Sequence, residues 1–165
     1  KIVAKYPNSV INPSQNLLKT SLILEKFNLK KMEDYIFAND ILLACKRASK
    51  FPEGVQEAFE TLHADIPFSI DRKFMSISWR NESGGIVYLA GAELLEGETF
   101  PNLEIFHFKK GKYRGTVIED FMKDIPQMGK LFQELCRDPQ LDPDGYCVEW
   151  YFNESDVKCF VKLKD

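Results

Sequence analysis

Lys50-Phe51-Pro52-Glu53-Gly54-Val55-Gln56-Glu57-Ala58-Phe59 returns in diluted form 62 residues later as Lys112-Tyr113-Arg114-Gly115-Thr116-Val117-Ile118-Glu119-Asp120-Phe121. Lysine, aromatic, valine, glutamate and phenylalanine recur in register. Each copy follows an apolar stretch that reads as a strand and opens a segment that reads as a helix. A chain that repeats one supersecondary unit folds as two related halves about a pseudo-twofold axis, and such an axis creates a groove.

Working outward, Tyr35–Arg47 reads as one strand, bulged near Asn39-Asp40, and Pro52 falls just inside a helix start. Val55, Phe59, Leu62 and Ile66 space out one apolar helical face, and Pro67 ends it. Phe74–Arg80 and Ile86–Leu94 flank Asn81-Glu82-Ser83-Gly84-Gly85, a hairpin signal. The second unit repeats the order. Leu103–Lys109 is its strand, residues 114–136 are helical with a kink or restart at Pro126, and Tyr146–Phe152 and Val157–Leu163 form the closing hairpin. The expected fold is therefore α+β: two strand-helix-strand-strand units, about 33–95 and 101–164, forming a mostly antiparallel sheet with two main helices. Residues 1–32, broken by Pro7 and Pro13, read as an N-terminal arm or tether. Residues 33–165 make up the domain.

The totals narrow the class. A 165-residue chain with 44% hydrophobic and 28% charged residues buries a core without disulfides or metal. A net charge of −3 gives no basic stripe for phosphates, so direct nucleic-acid binding is not expected. Cys45, Cys136, Cys147 and Cys159 show no CxxC pair, though Cys147 and Cys159 could face each other across a hairpin. No metal or cofactor site is read, and neither a Walker loop nor a Rossmann fingerprint occurs. No apolar run approaches membrane-spanning length, and a cytoplasmic location is expected. The chain begins at lysine, which leaves open a DNA-binding segment upstream or a separately supplied protein partner.

The order of elements and several landmarks resemble the GyrI-like, or bacterial transcription-activator effector-binding, domain family over roughly residues 33–164. In Phe106-His107-Phe108-Lys109-Lys110-Gly111-Lys112-Tyr113, the glycine and tyrosine fit the family's aromatic–x–His–x–Gly–Pro–Tyr turn. Lys112 replaces the proline, and the histidine is displaced. Glu149-Trp150-Tyr151 matches an acidic residue two before a tyrosine in the penultimate strand, and Gly91 a glycine in the strand closing the first unit. The resemblance implies a domain that binds small hydrophobic, cationic or aromatic ligands, as a stand-alone sensor or sequestering protein linked to transcription regulation.

Glu149 is the leading site residue. Alternation along Tyr146–Phe152 puts Cys147, Glu149 and Tyr151 on one face and Tyr146, Val148, Trp150 and Phe152 on the other. Neither face is plainly a solvent face, so a carboxylate there needs a partner. A cationic ligand held by aromatic rings would supply one. The alternative is a cross-hairpin pair with Lys158 or Lys162. Tyr113, Trp79, Tyr151, Trp150 and Phe106 are the aromatics expected around the pocket, each with a core role as its alternative. His63 and His107 have no partner placed to form a triad. Lys109, Lys110, Lys112 and Arg114 read as a solvated turn or an anion site. The resemblance also implies an alternative enzyme: a hydrolase of strained electrophiles, with Glu149 as general base and Tyr113 or Tyr151 assisting. A gyrase-type protein inhibitor is the third reading. It would need a concentrated acidic face that the scattered lysines deny.

Overall fold

The computed structural model describes residues 31–165, so the expected N-terminal arm lies almost wholly outside the described residues. The strands are β1 (Glu33–Phe37), β2 (Ile41–Arg47), β3 (Phe74–Arg80), β4 (Ile86–Glu93), β5 (Glu104–Phe108), β6 (Gly111–Ile118), β7 (Cys147–Tyr151) and β8 (Val157–Lys162). Two helices, α1 (Val55–Asp65) and α2 (Ile125–Leu135), and a 3-10 turn at Phe121–Lys123 complete the set. All eight strands join one antiparallel sheet in the order β1-β6-β8-β7-β3-β4-β2-β5. The fold is α+β with a groove, as the sequence predicts.

That order is a palindrome of two units, β1-β2-α1-β3-β4 and β5-β6-α2-β7-β8, with their first strands exchanged. β1 pairs with β6 of the second unit, and β5 pairs with β2 of the first. The single expected strand at 35–47 is thus two, because at Ala38-Asn39-Asp40 the chain passes from its pairing in the second half to its place in the first. Asp40 fixes the crossing: its carboxylate accepts from the Lys110 backbone N–H at 2.8 Å. At the other end, Asp34 accepts from Arg114 at 2.7 Å and lies 2.7 Å from Lys112.

The quoted repeat is not the structural one. Lys112–Ile118 belongs to β6, not to a helix, and the second helix begins at Ile125. The reason lies in the residues: Thr116-Val117-Ile118 is a β-branched run, and both neighbours, β1 and β8, supply backbone partners. Gly115 shows how tightly that ladder closes. A Cβ there would stand 1.9 Å from the Cys159 carbonyl oxygen. Pro126 restarts the chain at the first turn of α2, where a missing N–H costs nothing. Pro52 sits in the turn before α1, which opens at Val55.

Each face of the sheet has its own core. On one face α1 packs on β2 and β4, and α2 on β6 and β8, burying Ala58, Leu62, Leu131 and Leu135 against Ala44, Ala90, Ile118 and Val161. The other face buries Leu43, Met75, Ile77, Leu89, Phe108, Tyr113, Val148 and Phe160. Because both helices sit over outer strands, the central pair β3–β7 runs between them. No helix among the described residues is long and apolar enough to cross a membrane.

Candidate functional site

The two central strands place Ser76 directly opposite Glu149, on the helix side and between the helices. Glu149 is only 8% exposed. Its Oε2 accepts from Ser76 Oγ at 2.7 Å, from Tyr88 OH at 2.7 Å and from Tyr151 OH. Burial and the neighbouring carboxylate raise the Tyr88 and Tyr151 hydroxyls well above the usual phenol range. Both stay protonated and act toward Glu149 as donors. Every partner is a neutral hydroxyl, and no lysine or arginine among the described residues reaches the carboxylate. The proposed cross-hairpin lysines are engaged elsewhere: Lys158 lies over Trp150 at 4.6 Å, and Lys162 bonds Asp142 at 3.0 Å.

All three bonds fall on Oε2. Oε1 has no partner among the described residues, and no sealed side-chain oxygen there lacks one, so Oε1 keeps some exposure. Aromatic rings wall the groove. Phe51, in the turn before α1, stacks on Tyr88 at 5.6 Å. Phe59 of α1 meets the Tyr151 ring edge-on at 5.4 Å. Phe121, in the turn before α2, lies 5.4 Å from Tyr151. The turns leading into the two helices therefore each deliver a phenylalanine to the seam.

Of the residues singled out from sequence, the fold brings together Glu149 and Tyr151. Tyr113, Trp79, Trp150 and Phe106 occupy the opposite face of the sheet. Tyr113 is fully buried there, its hydroxyl donating to the Lys109 carbonyl at 2.6 Å. Trp79 and Phe106 stack at 6.1 Å and line an open depression of about 510 Å³ with Tyr146 and His107. The backbone period forces this separation, since Glu149 and Trp150 are adjacent and must point apart. Sequence reasoning missed Ser76, Tyr88, Phe59 and Phe121, while Phe51 is the repeat's counterpart of Tyr113 at the mouth of a helix. Tyr88 stands two residues before Ala90 on β4, a spacing that marks the same face.

The remaining candidates have structural partners. His63 Nδ1 lies 3.2 Å from the Ile66 carbonyl, and its ring stacks on Phe59. Lys109, Lys112 and Arg114 pair with Asp40, Asp34 and, for Arg114, Asp138 as well; they are staples across the exchanged strands. Cys147 stands opposite Val161, not Cys159, in the β7–β8 ladder. Among the described residues no three His, Cys, Asp or Glu side chains converge on a metal position.

No protein-family model and no curated protein matches the chain. Solved structures do. An integron cassette protein from the mobile metagenome of Vibrio cholerae superposes with a TM-score of 0.64 at 10% identity, covering 82% of this chain and 97% of that one. A hydrolase from Listeria innocua superposes with a TM-score of 0.53 at 8% identity, covering 82% and 92%. At such identities the likeness is one of fold.

Proposed function

We propose that the chain binds flat, lipophilic cations in the groove between α1 and α2, with Glu149 as the charge selector. The observation that carries this reading is a buried carboxylate satisfied only by neutral hydroxyls. Hydrogen bonds from Ser76, Tyr88 and Tyr151 stabilise the anion but leave its charge uncompensated, and an unpaired buried charge is costly. A cation at Oε1 would cancel that cost. Phe51, Phe59, Tyr88, Tyr151 and Phe121 would supply stacking and cation–π attraction, about 0.5–2 kcal/mol for each engaged ring. The role would be that of a sensor or sequestering domain of the GyrI-like, effector-binding type, tied to transcription through a separate segment or partner.

Fluorescence titration with 10-methylacridinium and with neutral acridine at pH 8 tests this. Glu149→Gln should weaken the cation at least tenfold and leave acridine within about twofold, because only the cation uses the carboxylate's charge. Equal losses for both would remove Glu149 as the selector.

A hydrolytic reading has one observation in its favour. Oε1 has no partner among the described residues and could take a proton from water, as a general base requires. One fold neighbour, from Listeria innocua, is also a hydrolase. Turnover of a strained electrophilic substrate, lost in Glu149→Gln, would support it; saturable binding without product would leave binding as the function.

A further inference from the structure

Four thiols divide into two kinds. Cys45 and Cys159 are sealed in the core at 1% and 0% exposure, and burial pushes both thiols up, Cys45 to about 12. Cys136 and Cys147 are part-exposed and touch each other, Sγ to Sγ, at 3.9 Å. Cys136 closes the C-terminal end of α2, and Cys147 opens β7 on the same face as Glu149, two residues away. The loop between them, with Pro139, Pro143 and Gly145, joins the two elements without a strand of its own apart from a bridge at Leu141.

We propose that Cys136 and Cys147 are a peroxide-responsive thiol pair, with Cys136 the attacking sulfur and Cys147 the resolving one. The assignment of roles follows from the surroundings. With Cys147 as the donor in the Sγ–Sγ contact, and with the Arg80 guanidinium favouring the anion, the Cys136 thiol is lowered to about 7. Cys147 is raised by that same contact and by burial, which keeps it the protonated donor. A thiolate, not a thiol, is the nucleophile.

The chemistry balances with a hydroperoxide as the oxidant. The Cys136 thiolate attacks one peroxide oxygen, the O–O bond breaks, and the leaving oxygen takes up a proton as water. Cys136 is then a sulfenic acid. The Cys147 sulfur attacks it, the S–O bond breaks, and the hydroxyl leaves as a second water with the Cys147 proton. Two thiols and one hydrogen peroxide become one disulfide and two waters. The sulfurs must approach from 3.9 Å to about 2.05 Å, with Cys136 at the residue that caps α2. The bond would tie the end of α2 to the strand that carries Glu149. Its effect on ligand rests on the binding reading above; its formation does not.

Each cysteine falls in its own tryptic peptide, since Lys46, Lys130, Arg137, Lys158 and Lys162 separate them. Reduced full-chain protein is treated with stoichiometric hydrogen peroxide, quenched with N-ethylmaleimide in denaturant, and mapped by mass spectrometry without any ligand. The expected result is a loss of two mass units, a 131–137 peptide joined to the 138–158 peptide, and alkylation only at Cys45 and Cys159. Cys147→Ser should instead trap a dimedone-reactive sulfenic acid on Cys136, while Cys136→Ser should slow peroxide consumption at least tenfold. Four alkylated thiols after treatment, a bond joining any other pair, or equal rates in the two variants would overturn the proposal. If the pair forms, 10-methylacridinium affinity of the oxidised form is compared with that of the reduced form. Unchanged affinity would refute only the link to the groove.

Discussion

Glu149→Gln should make the ligand-free protein no less stable, although it alters the most hydrogen-bonded side chain of the groove. Glutamine keeps the shape and an acceptor oxygen. Each of the three hydroxyl bonds from Ser76, Tyr88 and Tyr151 weakens by about 1 kcal/mol when its acceptor loses its charge, about 3 kcal/mol together. Against that stands the relieved cost of burying a carboxylate with no cation beside it, about 3–5 kcal/mol. The net is a gain of about 0–2 kcal/mol, which for a domain of this size raises Tm by up to about 6 °C. Glu149→Ala separates charge from hydrogen bonding. It leaves three buried hydroxyls without their acceptor, at about 1–3 kcal/mol each, and should lower Tm well below both other proteins. Differential scanning calorimetry of the three proteins at pH 7 is the assay. A fall of more than about 4 °C in the Gln variant would mean the carboxylate's charge stabilises the fold. The premise of an uncompensated anion would then fail.

Phe51→Ala and Phe121→Ala should each weaken 10-methylacridinium by about 0.5–2 kcal/mol, roughly 2- to 30-fold; a titration showing no loss in either would place the ligand elsewhere. Gly115→Ala should cost about 3 kcal/mol or more, because the new methyl meets the Cys159 carbonyl oxygen and the Phe160 Cβ at 1.9 and 2.5 Å; an unchanged urea midpoint would refute the β6–β8 register. Asp34, held down to about 2 by its hydrogen bonds to Arg114 and Lys112, contributes stability that is present above its ordinary value of 3.8. That contribution is lost as pH falls through 2. The site is solvent-screened, so the effect is at most about 1 kcal/mol, and Asp34→Asn should flatten the acid limb of a pH–Tm curve between pH 4 and 2.

The positions of β3, β4, β5, β7 and β8, the α1 face and the two hairpins were legible because their signals are local: alternation, helical spacing and glycine-rich turns. The exchange of β1 and β5 was not. Nothing in Glu33–Phe37 says that its partner lies 80 residues away, since pairing of that kind is decided by the sheet that forms around it. The same limit explains the misread second helix. Tyr113 and Val117 lie four apart and satisfy a helical spacing. Only Gly115, which no helix interior favours, and the β-branched run after it argue for a strand. For the site, Glu149 and Tyr151 could be read as face-mates, whereas Ser76 and Tyr88 needed the strand register, which no motif encodes.

The palindromic strand order explains why a carboxylate at that register becomes a site at all. Exchange of the first strands puts β3 and β7 at the centre of the sheet, and their pairing crosses the pseudo-twofold axis. Each helix packs on the two strands flanking its own half, β2 and β4 or β6 and β8, so neither is positioned to roof the seam. A residue on the helix-side face of β3 or β7 therefore sits at the floor of a groove whose walls are the helices and whose lips are the turns that precede them. Ser76 and Glu149 occupy those two floor positions. Phe51 and Phe121 occupy the two lips. The topology makes the groove symmetric in backbone, and the side chains break that symmetry. One half supplies the hydroxyls of Ser76 and Tyr88, and the other supplies the anion. A cation entering along the axis would meet aromatic rings from both halves and charge from one, which fixes its orientation as well as its sign.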